Sequence, residues 1–136
     1  MRKGLFKEFL ISKDSLWVYK GNNLLFSSNR DRLLPLLEYI YVFATSYTEV
    51  AIFDKIIGNA AALLCIKANC SEVYSSVASQ MATKTLDKYG IRYHFTQIVP
   101  YIQQPHSEEM CPMETLSIDK SPGEFYEIMT RQHGVE

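Results

Sequence analysis

The 136-residue chain has the length of one domain around one core, and with 47% apolar and 21% charged residues it has enough to bury and no mark of disorder. Fourteen basic side chains against fifteen acidic ones leave a net charge of −1, without the electrostatic footprint that a phosphate backbone or an anionic membrane requires. No apolar run reaches membrane-spanning length, none follows the basic start Arg2-Lys3, and three cysteines are an odd number for a disulfide framework, so a cytoplasmic chain with reduced thiols is expected.

In chain order, residues 5–11 read as a short amphipathic helix, and the runs 16–19 and 24–27 flank Lys20-Gly21-Asn22-Asn23, a turn for a β-hairpin. Leu33, Leu36, Leu37, Ile40, Tyr41 and Ala44 follow helical spacing, which predicts a helix over 30–45 with Pro35 in its first turn and Ser28, Asn29 or Asp31 as caps. Val50-Ala51-Ile52-Phe53 reads as a strand buried on both faces that ends at Asp54. A helix follows at once, carrying Ile57, Ala60, Ala61 and Leu64, with Gly58 and the alanines leaving a surface that a sheet can approach closely. Residues 72–75 suggest another strand, then a helix capped by Ser79 and stopped at Gly90. Ile91, Tyr93 and Phe95 alternate with Arg92, His94 and Thr96 as a strand with one wet face, which would leave His94 exposed. Ser121-Pro122-Gly123-Glu124 is a capping box, so a last helix is expected over 122–132. The chain is therefore expected to be a single domain over 1–136, with 115–136 as a helical C-terminal extension.

Several of these segments together resemble the Domain of Unknown Function 1893 family: Leu25-Phe26-Ser27-Ser28, Pro35-Leu36-Leu37, the run from Asp54-Lys55 through Gly58 to Leu64, the helix start at Ser79, Tyr89-Gly90-Ile91, Val99-Pro100-Tyr101-Ile102 and Cys111-Pro112-Met113-Glu114. The resemblance spans 16–114 and departs from the family pattern near Arg32 and Leu33, where glycine is usual, and at Gln103, where asparagine is usual. It implies a cytidine-deaminase-like fold, a three-layer α/β/α sandwich with a mixed sheet, and it implies no reaction.

A zinc deaminase needs a His or Cys, one residue, then Glu at one helix start and Pro-Cys-x-x-Cys at the next, because three soft ligands hold the metal while the glutamate moves the proton. Here those places hold Asp54-Lys55-Ile56-Ile57-Gly58 and Ala78-Ser79-Gln80-Met81, so no metal and no cofactor are expected. Cys65 and Cys70 have the spacing of a ligand pair but no histidine near them in sequence.

The remaining candidates are a helix-start pair, Asp54 as cap or proton carrier and Lys55 as an anion-binding cation. Cys111 is a thiol ahead of a helix-initiating proline, and Glu114 stands three residues on as a cap or second proton carrier. Ser28 and Arg30 form a corner suited to an anion, and Gly58 and Ser79 complete the expected binding set. The sequence thus points to a protein that binds a small polar or anionic molecule, nucleotide-like in character, with no nucleic acid or membrane as partner and with room for self-association. Two uses of the pocket stay open: a metal-independent enzyme with Cys111 as nucleophile or redox centre, and a non-catalytic ligand sensor or assembly subunit. The second role can use the same pocket or only the protein's surface, and Lys55 and Cys111 are expected to line one cavity.

Overall fold

The computed structural model describes residues 2–43 and 46–133. Helix α1 (Lys3–Ile11) precedes the hairpin β1 (Leu16–Lys20) and β2 (Asn23–Ser28); then come α2 (Leu34–Phe43), β3 (Val50–Ile57), α3 (Asn59–Lys67), β4 (Cys70–Ser79), α4 (Gln80–Lys88) and β5 (Arg92–Val99), and finally α5 (Pro112–Ser117) and α6 (Pro122–His133). The strands form one mixed sheet in the order β2-β1-β3-β4-β5. β1 runs antiparallel to both β2 and β3, whereas β3, β4 and β5 are mutually parallel. Helical crossovers after β3 and β4 are what parallel neighbours require. Among the described residues no helix is long and apolar enough to cross a membrane.

The two faces of the sheet are covered unequally. Leu16, Val18, Ile52 and Val73 point into an aliphatic core with α2, α3, α4 and α6, and Met113 and Leu116 of α5 pack against it. On the other face Ala51, Phe53 and Tyr74 meet Phe9 of α1, with Phe6, Trp17 and Tyr19 around them. Helix α3 lies at the centre of the thicker side and is buried from Asn59 to Cys65, which explains an apolar pattern that runs round the helix rather than along one stripe.

The strands are longer than their apolar runs. β3 continues through Asp54, Lys55 and Ile56 because its ladder with β4 persists to the Ile57–Ala78 pair, so the helix begins after Gly58 and not at Asp54. Ile52 and Ile57 reach the same core although five residues apart, as do Val73 and Ala78. Strict alternation would send them to opposite faces, so side-chain phase slips by one residue near the ends of both strands. Helix α2 starts at Leu34, later than helical spacing suggested, because Arg32 takes a φ of 59° and breaks the turn before it. Pro35 does occupy the first turn; the expected helix end at Ala44 and Thr45 lies outside the described residues.

His94 is half-buried, although Arg92 and Thr96 of the same strand are exposed. Phe53, Tyr74 and His94 stand side by side across β3, β4 and β5, with ring centroids 4.6 and 4.5 Å apart. The last helix has its capping box: the backbone N–H of Glu124 donates to Ser121 Oγ at 3.1 Å, and the Ser121 N–H donates to Glu124 Oε1 at 2.8 Å. Far from being an appendage, α6 places Phe125 and Met129 in the main core.

Candidate functional site

The expected corner at Asp54 and Lys55 is taken apart by the strand that contains it. Lys55 points to the α1 side, where its ammonium donates to the Ser12 carbonyl at 2.9 Å and sits 4.9 Å from the centre of the Phe9 ring. Ser12 is the C-cap of α1, so this cation serves the negative end of that helix. Asp54 is paired with Leu16 and Ser75 and faces the aliphatic side. Burial pushes its carboxyl up to about 7, against the lowering influence of the Ile56 and Lys55 backbone N–H groups. It is not the cap of α3.

That cap comes from Glu114. Its carboxylate, buried between α5 and α3, accepts from the Asn59 N–H at 2.8 Å and the Ala60 N–H at 3.0 Å. Two orphan donors and the positive end of α3 are thus met by one anion of the chain itself. Gly58 makes the approach feasible, since a Cβ there would overlap the Glu114 carboxylate. Glu114 is therefore not a cap for its own helix; its backbone N–H donates to the Cys111 carbonyl at 2.9 Å.

Cys111 is the N-cap of α5 and half-buried, with no side-chain capping bond. Helix α5 packs with α3 on the aliphatic side of the sheet and Lys55 is on the α1 side, so the two do not line one cavity. Ser79 caps α4, its Oγ accepting from Ala82 N–H at 3.1 Å. Ser28 Oγ accepts from Arg30 N–H at 3.1 Å and does not cap α2, while the Arg30 guanidinium is paired with Glu38 at 2.6 Å. The pairing engages the charge that made this corner a candidate anion site. His106 is exposed in the loop before α5. Burial raises both Cys65 and Cys70, the latter to about 12, so neither is a ready thiolate. Among the described residues no three His, Cys, Asp or Glu side chains are grouped as metal ligands would be.

The structure opens a cleft at a place not singled out by sequence. About 520 Å³ lies between the start of α3, the length of α4 and the turn joining α5 to α6. Leu63, Met81, Tyr89 and Ile118 supply apolar wall; Asn59, Thr85 and Ser121 supply neutral polar groups; Lys88 and Lys120 supply cations, with Asp119 and Glu124 near them. Asn59 is held rigidly at the cleft's inner end. Its Nδ2 donates to Ser117 Oγ at 2.9 Å, and its Oδ1 accepts from the Thr85 hydroxyl. Glu124 is turned toward Ser121, whose backbone and hydroxyl hold its carboxyl below the usual range. Among the described residues neither Lys88 nor Lys120 is in an ion pair; the Lys88 ammonium lies 5.7 Å from the Tyr89 ring centre. The capping box at Ser121 was a readable sign that a helix start borders this space, but three distant segments had to meet before the space existed.

A mixed five-stranded sheet with helices on both faces, and a polar cleft beside the helix that follows the central strand, defines an α/β domain. Within that class, the chain belongs to the family described as Domain of unknown function (DUF1893), whose pattern matches residues 5–132 and so takes in α6 as well. The chain is similar in structure to a DUF1893 family protein from Thermotoga maritima, known from a crystal structure at 2.70 Å resolution. The likeness has a TM-score of 0.82 and 26% sequence identity, and covers 96% of this chain and 88% of that one. No curated protein matches the chain.

Proposed function

We propose that this chain is a three-layer α/β/α protein of cytidine-deaminase-like fold that binds a small polar or anionic molecule, nucleotide-like in size, in the cleft between α3, α4 and the turn before α6. The strand order with an antiparallel β1, and the lone α1 opposite the other helices, support the fold. The observation that carries the binding reading is the pair of ammonium groups, Lys88 at the end of α4 and Lys120 on the turn, over a cleft whose inner end is a fixed Asn59. A volume of about 520 Å³ with an apolar wall and a few convergent polar groups is the form of a small-molecule site. Cytoplasmic conditions would keep the three thiols reduced.

A binding role without chemistry is favoured over thiol catalysis. Lys55 is spent on α1 and Glu114 on α3, so Cys111 lacks the cation and the carboxylate expected beside it. The test is titration of the protein with nucleoside monophosphates and with inorganic phosphate, followed by amide chemical shifts. Binding should perturb Asn59, Thr85 and Lys120, and Lys88→Met or Lys120→Met should each weaken it about tenfold, ~1.4 kcal/mol, as expected for one lost charge contact. Affinity unchanged in both variants, or shifts confined to other parts of the molecule, would overturn the assignment.

A further inference from the structure

The sheet ends at β5, and this end is unusually open. β5 runs eight residues from Arg92 to Val99, closed by Pro100, and its outer edge has no strand beside it among the described residues. Long edge strands are normally blunted by lysine, proline, a bulge or a covering helix, because their free N–H and C=O groups recruit other strands. None of these devices lies within β5. Helix α1 stops short of it: Phe6 reaches Phe53 and Tyr74, with ring centroids 6.4 and 5.7 Å away, and beyond Phe6 a groove of about 380 Å³ follows the strand. Tyr93, His94, Phe95, Thr96 and Ile98 line this groove, and Ile98 is 50% exposed. The opposite edge differs. β2 has six residues, and the ladder that joins it to β1 contains a bulge that adds twist.

We infer that β5 is the interface through which two copies of this chain pair, antiparallel and about a two-fold axis at Phe95, to make one continuous ten-stranded sheet. The strand complements its own reverse. With Phe95 opposite its copy, Tyr93 stands level with Gln97, His94 with Thr96, and Arg92 with Ile98, so no like charges oppose. Arg92 is the one fixed charge in the strand, and its guanidinium lies 3.9 Å from Glu72 of its own chain. The two arginines of the pair would stand about 20 Å apart along the strands, beyond a Debye length of about 8–10 Å. A parallel arrangement would bring them side by side. A net charge of −1 per chain adds little repulsion between copies. The partner's side chains would fill the groove that α1 leaves open.

The charge pattern supplies the test. Ile98 is half-exposed and makes no part of the main core, so it can be replaced without unfolding the chain, and an unchanged far-ultraviolet circular dichroism spectrum would verify this. Mass measured by light scattering across a concentration series should give two chains for the parent protein, dissociating on dilution. Ile98→Lys sets an ammonium against the partner's arginine and should weaken pairing at least a hundredfold. Ile98→Glu loses the same apolar contact but sets a carboxylate there, and should stay within about threefold of the parent. A parent protein that is one chain at every concentration, a dimer indifferent to Ile98→Lys, or equal losses from both variants would overturn the inference.

Discussion

Helices α3 and α4 follow neighbouring parallel strands and begin on the same side of the sheet, yet their first turns are satisfied from very different distances. Ser79 caps α4 three residues away, and Glu114 reaches α3 across 55 positions of sequence. The local cap costs one hydroxyl its freedom and asks nothing of the rest of the fold. The distant cap makes the start of the central helix depend on α5, on the loop that delivers it and on the absence of a side chain at Gly58. A helix start in a buried layer is therefore a tertiary contact, even when its own sequence looks self-sufficient.

Removing the distant cap should have the largest effect. Glu114→Ala leaves two buried N–H groups without acceptors and should destabilise by roughly 4 kcal/mol in denaturant unfolding, since charge-assisted bonds contribute most when nothing replaces them. A loss under 1 kcal/mol would mean that water serves α3 as well as the carboxylate does. Gly58→Ala should cost about 2–3 kcal/mol by forcing the carboxylate off its donors. In the Glu114→Ala background most of that penalty should vanish, and simple additivity in this double-mutant cycle would break the proposed coupling.

A third experiment separates the carboxylate that caps α3 from the one that only stands near it. Asp54 has a raised pKa in the folded state, so the native chain holds a proton that the unfolded chain releases. Its contribution to stability is therefore full below the unfolded value of about 4 and is lost as pH rises toward 7. Asp54→Asn keeps the neutral form, so its melting temperature relative to the parent should climb between pH 4 and pH 8. A capping aspartate would give the opposite slope. Ser79→Ala should be the mildest, about 1 kcal/mol, the usual worth of a local cap.

What could be read in the sequence and what could not divide along the same line. The hairpin turn with Gly21 at a φ of 60°, the Ser79 cap and the Ser121–Glu124 capping box each rest on a few adjacent residues, and all three stand in the structure. The end of β3 was misplaced because Asp54 and Lys55 look like a polar corner, and only the presence of α1 makes a strand lysine useful there. His94 looked exposed because alternation identifies a face without saying what covers it. The cleft was invisible, since Asn59, Lys88 and Lys120 belong to three segments whose meeting depends on α6 entering the core.

The unequal coverage of the sheet has an experimental consequence through the chain's single tryptophan. Trp17 lies under α1, its ring 5.2 Å from that of Phe9 and its indole N–H bonded to Asp14 at 2.7 Å, on the opposite side of the sheet from α3. Tryptophan emission is thus a reporter of the α1 layer, whereas far-ultraviolet circular dichroism is dominated by the five helices on the other side. Unfolding curves from the two signals would coincide if the sheet couples its faces. If α1 lifts away first, the emission change would come at lower denaturant than the loss of helix, and the thin layer would be a separately melting unit.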